Sequence, residues 1–562
     1  MLGACESVLA EHDALQHCVS IEPRRLEGQH ADLRVLFADR SWLQSPTGDE
    51  LLAALREHPA LTGAQRHRSA ILLRFDDSIL ADLERRLAAG ELAGMDTADA
   101  LDGRSIVVGF VGPNTNKALH VGHLRNIVLG QALASVLTSA GATVQRHSLV
   151  GDIGRRVCEA MGGYTTYHNG ESPQTENLVG DRFVELCSRD FPRSLTQSGA
   201  TALGDPNAEE RAVRGDLADS IMNAWLRGAA PERALWRRMR DWALAGHQRT
   251  LSRLGVHMDR YDFESEEIPR ALDLIAIGLE RGLFKREATG GVIHQTGRSE
   301  YTTMVLLRED GAPTEYARLL GVYHRMLEDL DASTDYVEVV GIEWQPATTV
   351  LGELLTALSR STQDMRGMWA FHGSVTIGGQ KMGSSTGQVV WIDDLLDQLA
   401  ASPGVAALHE IADGAAGPEE LADIVVRGTF LCSPTAQPLR FARQHLLESP
   451  DGPGWTIARA WCLAQGPHRP AMTVPAARAA IVQSQLYRRS LLRAAEKRDT
   501  VVLATYLLGL CEAFLAAPER SPAAALILRR VLGSLGFIAG TSGGIRDDRH
   551  THDSHHGHAF QT

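Results

Sequence analysis

Apolar and polar positions follow distinct rhythms along this chain. Residues 71–90, ILLRFDDSILADLERRLAAG, open as an apolar run and continue with Ile79, Leu80, Leu83 and Leu87 at helical spacing. This predicts a strand followed by an amphipathic helix, with Gly90 as its stop. Residues 107–125, VVGFVGPNTNKALHVGHLR, pass from a short apolar run through a Gly/Pro/Asn turn into a helical segment. Helical spacing continues over 126–140 up to Gly141, and 142–149 read as a second strand. That order is a β–α–β unit, for which right-handed crossover makes a parallel sheet the default.

Residues 168–218 are polar and rich in Gly, Ser, Thr, Asn and Asp, which predicts a loosely structured insertion. A strong helix follows over 231–254, and Leu235, Trp236, Met239 and Trp242, with Trp225 ahead of it, give an aromatic face expected to be core. Segments 291–309 and 335–345 read as strands, 348–358 as a helix, and 368–377 as a last strand before the loop GGQKMGSSTGQ. Residues 389–399 start the next helix, 403 to about 417 read as a linker, and 418–537 as helical throughout. The Gly-, Asp- and His-rich end from 540 is expected to be a disordered tail. No internal repeat of fixed period is visible.

Composition bounds the picture. A chain of 562 residues has room for about three or four domains at ~150 residues each. With 44% hydrophobic and 22% charged residues it contains no apolar run approaching a membrane span. The opening MLGACESVLAEHD has neither a basic n-region nor a continuous apolar core, so no signal peptide is expected. Seven cysteines, never spaced as CxxC, point to reduced thiols in a cytoplasmic protein and give no sign of a zinc site. The tail histidines are expected to be solvated rather than metal-bound, so no metal ligand is assigned. A net charge of −13 argues against a basic tail coating nucleic acid, but not against a local basic face.

The candidate chemistry lies in two loops. A strand, a tight turn and a helix N-terminus hold phosphates on backbone N–H groups. His120 and His123, three apart on the first helical turn, share one face there, and Lys117 stands three residues ahead of them. Far downstream, Lys381-Met382-Gly383-Ser384-Ser385-Thr386-Gly387 puts a lysine and hydroxyls on a Gly-flanked loop suited to closing over a pyrophosphate leaving group. Taken alone, that loop reads equally well as a solvated turn.

On these residues the chain resembles the class I aminoacyl-tRNA synthetases, and within them the arginyl-tRNA synthetases. HVGH at 120–123 looks like the HIGH signature, and KMGSS at 381–385 looks like the KMSKS loop. KMGSSTGQVVWIDDLL resembles the arginyl pattern KMSSRKGNVVxLDDLL. Residues 149–154 are similar to the family's Asp-Trp-Gly element, RLGVHMDRYDFES (253–265) to its RLGVxFDxxxxES, and 335–341 to its Asp-x-x-x-x-Val-x-Gly strand. The likeness extends over about residues 70–538.

The resemblance implies an α/β fold with a Rossmann-type parallel-sheet catalytic domain over 104–402, interrupted by an insertion at about 168–258. A small α+β N-terminal domain (1–103) would precede it. An all-α anticodon-binding-like domain (403–538) and the tail (539–562) would follow. The implied reaction joins ATP and an amino acid into an aminoacyl-adenylate, releases pyrophosphate, and passes the acyl group to the 3′ end of a tRNA. Lys117, His120, His123 and Lys381 would be catalytic. His120, Gly122, His123, Lys381, Met382, Ser384 and Ser385 would bind ATP. Asn114, Glu264, Tyr316, Leu320, Trp344 and Gln345 would bind the amino acid. Mg²⁺ would arrive with ATP rather than in a protein cage. The likeness also implies a monomer.

The chain departs from that family at defined positions. Ser384 replaces the second KMSKS lysine, and Gly109 and Gly112 replace an acidic residue and a serine of the opening strand. The family's Tyr-x-x-x-Asp turn matches PTEYARLLGVYH in two registers, which put Leu319 or Leu320 at the Asp. A pocket lined by Leu320 and Trp344 is expected to suit a less charged amino acid. The helices at 450–461 and 503–515 resemble the anticodon helices but lack several of their aromatic positions. Two alternatives therefore stand beside an arginine–tRNA ligase-like enzyme. One is a paralogue that transfers a non-arginine aminoacyl group to a small molecule or other acceptor without tRNA. The other is a non-catalytic binding or regulatory paralogue.

Overall fold

The structure is a computed structural model that describes residues 2–23, 31–89, 91, 100–191, 208–331, 333–359, 368–378, 380–381, 389–466, 474–517 and 520–537. The chain opens with α1 (Leu2–Glu11), then β1 (Cys18–Pro23), β2 (Leu33–Phe37), α2 (Arg40–Leu43), α3 (Pro46–Glu57), β3 (Leu61–His67), β4 (Ala70–Phe75) and α4 (Asp77–Ala88). The strands form an antiparallel sheet in the order β1-β2-β4-β3. Asp76 caps α4 by accepting from the Ser78 N–H, and Leu80 and Leu87 are its buried stripe. The strand–helix pattern read from 71–90 is therefore present.

The central unit contains β5 (Ser105–Gly109), α5 (Val121–Ser139), β6 (Thr143–Val150), α6 (Arg155–Tyr167), α7 (Gly180–Asp190), α8 (Ala208–Leu226), α9 (Ala230–Arg253), β7 (Arg260–Phe263) and α10 (Ile268–Glu280). It continues with β8 (Lys285–Arg286), β9 (Val292–Gln295), β10 (Thr303–Leu307), α11 (Glu315–Asp329), β11 (Thr334–Gly341), α12 (Gln345–Leu358) and β12 (Trp369–His372). Five of these strands make a parallel sheet in the order β12-β11-β5-β6-β7, while β8, β9 and β10 form a small antiparallel sheet. Helix α5 has no polar stripe because it is covered all round, with fourteen of its nineteen residues buried between the sheet and the C-terminal helices.

Beyond lie β13 (Val375–Ile377), β14 (Gln380–Lys381), α13 (Ile392–Ala400), α14 (Pro403–Ile411), α15 (Pro418–Leu431), β15 (Leu439–Arg440), α16 (Arg443–Glu448), α17 (Pro453–Gln465), α18 (Val474–Ser484), α19 (Tyr487–Lys497), α20 (Val501–Ala516) and α21 (Pro522–Ser534). Arg125 of α5 ties this region to the sheet. It is fully buried and donates to the carbonyls of Gly373 (2.8 Å), Gln437 (2.7 Å) and Pro434 (2.8 Å).

Three expectations need correction. Residues 168–218 are not loose where described, because α7 and the start of α8 are helical. Phe183, Val184 and Cys187 supply a buried stripe for α7 that its polar composition hides. Residues 403–417 are not a linker. Ser402 caps α14 through the Val405 N–H, Pro403 sits in its first turn, and Val405 and Leu408 are buried. The single strand read at 368–377 is two strands, divided at Gly373 and paired in different sheets. A Cβ on Gly373 would stand 2.2 Å from the Gln437 carbonyl oxygen, so the break is a site of close backbone approach. The expected tail lies outside the described residues.

Candidate active site

The turn from β5 into α5 is stitched to its surroundings at almost every residue. Val111, with φ +80°, is a β-branched residue in the left-handed region, a conformation that costs on the order of 1–3 kcal/mol. Its N–H donates to Asn126 Oδ1 at 2.6 Å. Gly151 at the end of β6 donates to the Pro113 carbonyl (3.0 Å) and accepts from the Thr115 N–H (3.1 Å). Glu185 of α7 accepts from the Ala118 N–H (3.0 Å) and from Trp391 Nε1 (3.1 Å). His247 of α9 donates from Nε2 to the Lys117 carbonyl at 2.9 Å.

The two signature histidines cap their own helix. His120 Nδ1 accepts from the Gly122 N–H at 3.1 Å, and His123 Nδ1 accepts from the His120 N–H at 3.2 Å. The rings stack with centroids 4.0 Å apart. Because Nδ1 is an acceptor in both, each neutral imidazole must carry its proton on Nε2. Neutrality follows from burial, which with Lys117 nearby pushes His120 down to about 3 and holds His123 well below the usual imidazole range. The same burial lowers Lys117. Two oriented N–H donors and one lysine thus face a common space at the start of α5, whose own first N–H groups are taken by the two imidazoles and by the Val390 and His120 carbonyls.

That space is a cleft of about 410 Å³ at the carboxyl ends of the central strands. Asn114, Lys117, His120, Gly122, His123, Glu264 and Trp344 line it together, as the sequence grouped them. Three residues grouped with them do not. Tyr316 stacks edge-on against Trp344 and Tyr301 behind the wall. Leu320 is fully buried in the core, and Gln345 is exposed at the start of α12. Instead α11 presents Glu315, Leu319 and Tyr323, a face repeating every four residues. The helix thereby selects the register that begins at Pro313-Thr314. Of Lys381 only the backbone is described, paired with Thr376, and Met382, Ser384 and Ser385 lie outside the described residues.

Four carboxylates, Glu264, Glu315, Glu338 and Glu343, line the cleft, and of these the sequence pointed only to Glu264. Glu264 accepts from Arg318 Nε at 2.6 Å, yet burial still pushes its carboxyl up to about 7. Desolvation also raises Glu315, opposed by Arg318 and Lys117. Asp152, after β6, is fully buried and takes hydrogen bonds from the Ser265 N–H (2.9 Å) and Oγ (2.6 Å), which fixes the Glu264-Ser265 turn.

The description "tRNA synthetases class I (R), catalytic domain" matches residues 87–410, more than half of the chain. This chain belongs to that family. Among other members, the arginine–tRNA ligase of Amoebophilus asiaticus is 32% identical over 303 residues, covering 53% of this chain and 50% of that protein. The arginine–tRNA ligase of Treponema denticola is 32% identical over 301 residues, covering 53% and 49%. The chain therefore spans about half the length of the curated relatives it matches. In fold it is similar to the Thermus thermophilus arginyl-tRNA synthetase, with a TM-score of 0.65 at 21% identity over 95% of this chain and 96% of that one. The Plasmodium falciparum arginyl-tRNA synthetase gives 0.62 at 10% identity over the same shares. No helix among the described residues is long and apolar enough to cross a membrane.

Proposed function

We propose that this class I (R) synthetase activates a cationic amino acid with ATP, arginine being the first candidate, and transfers the aminoacyl group to the 3′ end of a tRNA. One observation carries the reading: the His120–His123 cap and Lys117 share a single cleft with four carboxylates. The amino-acid carboxylate would attack the α-phosphorus in line with the departing pyrophosphate. Such chemistry needs positioned donors more than an acid or base. His120 and His123 would donate from Nε2 to the phosphate oxygens as charge develops, with Lys117 supplying the positive charge. Lys381, Met382, Ser384 and Ser385 would close over the phosphates, and Mg²⁺ would enter with ATP as its phosphate counter-ion.

Glu315 bears on the substrate. The leucine at 319 removes one carboxylate from the wall that would face a guanidinium, and Glu315, one turn earlier on the same face, returns one. A cationic side chain would thus meet Glu315 together with the Glu264–Arg318 pair. The same reading keeps the limits 1–103, 104–402 and 403–538 for the three domains, assigns the tRNA to the last, and carries a monomeric enzyme in the cytoplasm.

ATP–pyrophosphate exchange with the twenty amino acids, with and without tRNA, tests it. Exchange driven by L-arginine supports the proposal. Exchange by an uncharged amino acid without tRNA would sink the substrate and favour a small-molecule acceptor, and silence with every amino acid would sink activation itself.

A further inference from the structure

Residues 390–392, downstream of the Lys381 motif, lie against the histidine-bearing turn. The Val121 N–H donates to the Val390 carbonyl (3.0 Å) and the Ile392 N–H to the Leu119 carbonyl (3.2 Å). His120 therefore stands opposite Trp391 in an antiparallel bridge, with one hydrogen bond on either side of it. Two bonds along one ladder fix a separation but leave rotation about the ladder open. A third point off that line is needed to close it.

Helix α7 supplies that point. Glu185 Oε2 accepts from the Ala118 N–H at 3.0 Å and from Trp391 Nε1 at 3.1 Å. One oxygen atom thus holds the backbone two residues before His120 and the side chain of the residue opposite it. The support is itself fixed, because Phe183, Val184 and Cys187 bury the apolar stripe of α7. Arg182 lies over the Trp391 ring, 4.5 Å from its centroid, and reaches Asp394 Oδ1 at 2.5 Å. From α9, Thr250 and Arg253 each donate to the Asp393 carboxylate at 2.8 Å. The chain leaving Trp391 is pinned to both helices.

Glu185 stands behind the cleft wall, outside the residues that line the space. It therefore acts through its neighbours. In-line chemistry at phosphorus depends on donors held in place before the charge develops. We infer that Glu185 is a positioning residue, whose single oxygen locks the His120 turn to residues 390–392 and so sets where the His120 Nε2 donor points. The inference rests on the reading of this cleft as an amino-acid activation site.

The test is ATP–pyrophosphate exchange by the full chain with the amino acid that drives it, kcat being expressed per folded molecule. Glu185→Ala frees both donors and is expected to lower kcat by about tenfold to a hundredfold. The ATP and amino-acid KM values should stay within about threefold, since the lost alignment matters only in the transition state. Glu185→Gln offers one oxygen to the same two donors and should return kcat to within about threefold of wild type. Trp391→Phe keeps a ring under Arg182, removes one donor and should lower kcat by about three- to tenfold. It serves as the second variant if Glu185→Ala folds poorly, and in the Glu185→Ala background it should add little.

The split between kcat and KM and the rescue by Gln separate positioning from a loss of stability, which would lower the melting temperature and leave kcat per folded molecule alone. An unchanged kcat in Glu185→Ala, or in Trp391→Phe, overturns the inference. A Gln variant as slow as the Ala variant also overturns it, and would assign Glu185 to the field that its charge exerts on Lys117. A wild-type chain that exchanges with no amino acid overturns the activation reading and this assignment together, whereas wild-type exchange beside an unaffected Ala variant overturns this assignment alone.

Discussion

Arg318 and Glu264 meet at 2.6 Å with side chains only 9% and 3% exposed, and the same guanidinium donates from Nη1 to the Pro313 carbonyl at 2.8 Å. The pair joins α11 to the turn after β7, fixing the wall on which Glu315 and Leu319 stand. Glu264→Gln would leave the guanidinium buried beside one carbonyl, and breaking a buried pair from one side costs about 3–5 kcal/mol. The urea midpoint should fall accordingly. Adding Arg318→Met should return much of that loss, since an apolar replacement of both partners removes the uncompensated charge.

The proposed function gives His120 a second duty beside its cap. His120→Ala removes a helix cap worth about 1 kcal/mol and a donor to the developing phosphate charge, worth roughly a hundredfold in rate. His120→Asn keeps an acceptor for the Gly122 N–H and shortens the reach into the cleft. Thermal melts should therefore return toward wild type in the Asn variant, while exchange stays as low as in the Ala variant. Recovery of exchange with Asn would show that capping is the whole role.

Burial pushes both Glu264 and Glu338 up to about 7, against the usual carboxylate range. The charged form is the one that receives a cation, so the amino-acid KM should fall as the pH rises from 6 to 8. A single group protonated one unit below its pKa weakens binding by about tenfold. His120, pushed down to about 3, is neutral across this window and should add no step of its own. The ATP KM should stay nearly level, and an amino-acid KM that rises with pH would contradict a cationic substrate.

Arg125 is held at about 10 by burial alone, with carbonyls rather than a carboxylate around it. Arg125→Met would remove the donor shared by the Gly373, Gln437 and Pro434 carbonyls, of which Pro434 keeps the Gln437 N–H, and should cost about 1–3 kcal/mol in all. Differential scanning calorimetry should show a lower melting temperature. Limited proteolysis should cut first near residues 434–437.

The parallel sheet and the histidine-bearing turn of the cleft were legible in the sequence because their signals are local. The strand, turn and capped helix of 107–125 are contiguous, and two histidines three apart share a face wherever the helix goes. The α11 side of the cleft was read less well. Choosing Tyr316 and Leu320 over Glu315 and Leu319 was a one-residue ambiguity that only the rotation of α11 against the sheet resolves. Glu338 escaped notice because its place in the cleft comes from strand pairing with Gly109, more than two hundred residues away. The helix at 403–411 lay inside a stretch read as a linker, whereas Ser402 and Pro403 begin it.

Arg125 stands two residues after His123 on α5, and its guanidinium is seated in the backbone of the segment that leads from α15 to β15. The helix bearing both imidazoles therefore cannot shift along its axis without dragging that segment, nor can the segment move without pulling on the helix. A tRNA gripping the C-terminal helices would have a rigid linkage, two residues beyond the second histidine, through which to set the alignment of the catalytic groups.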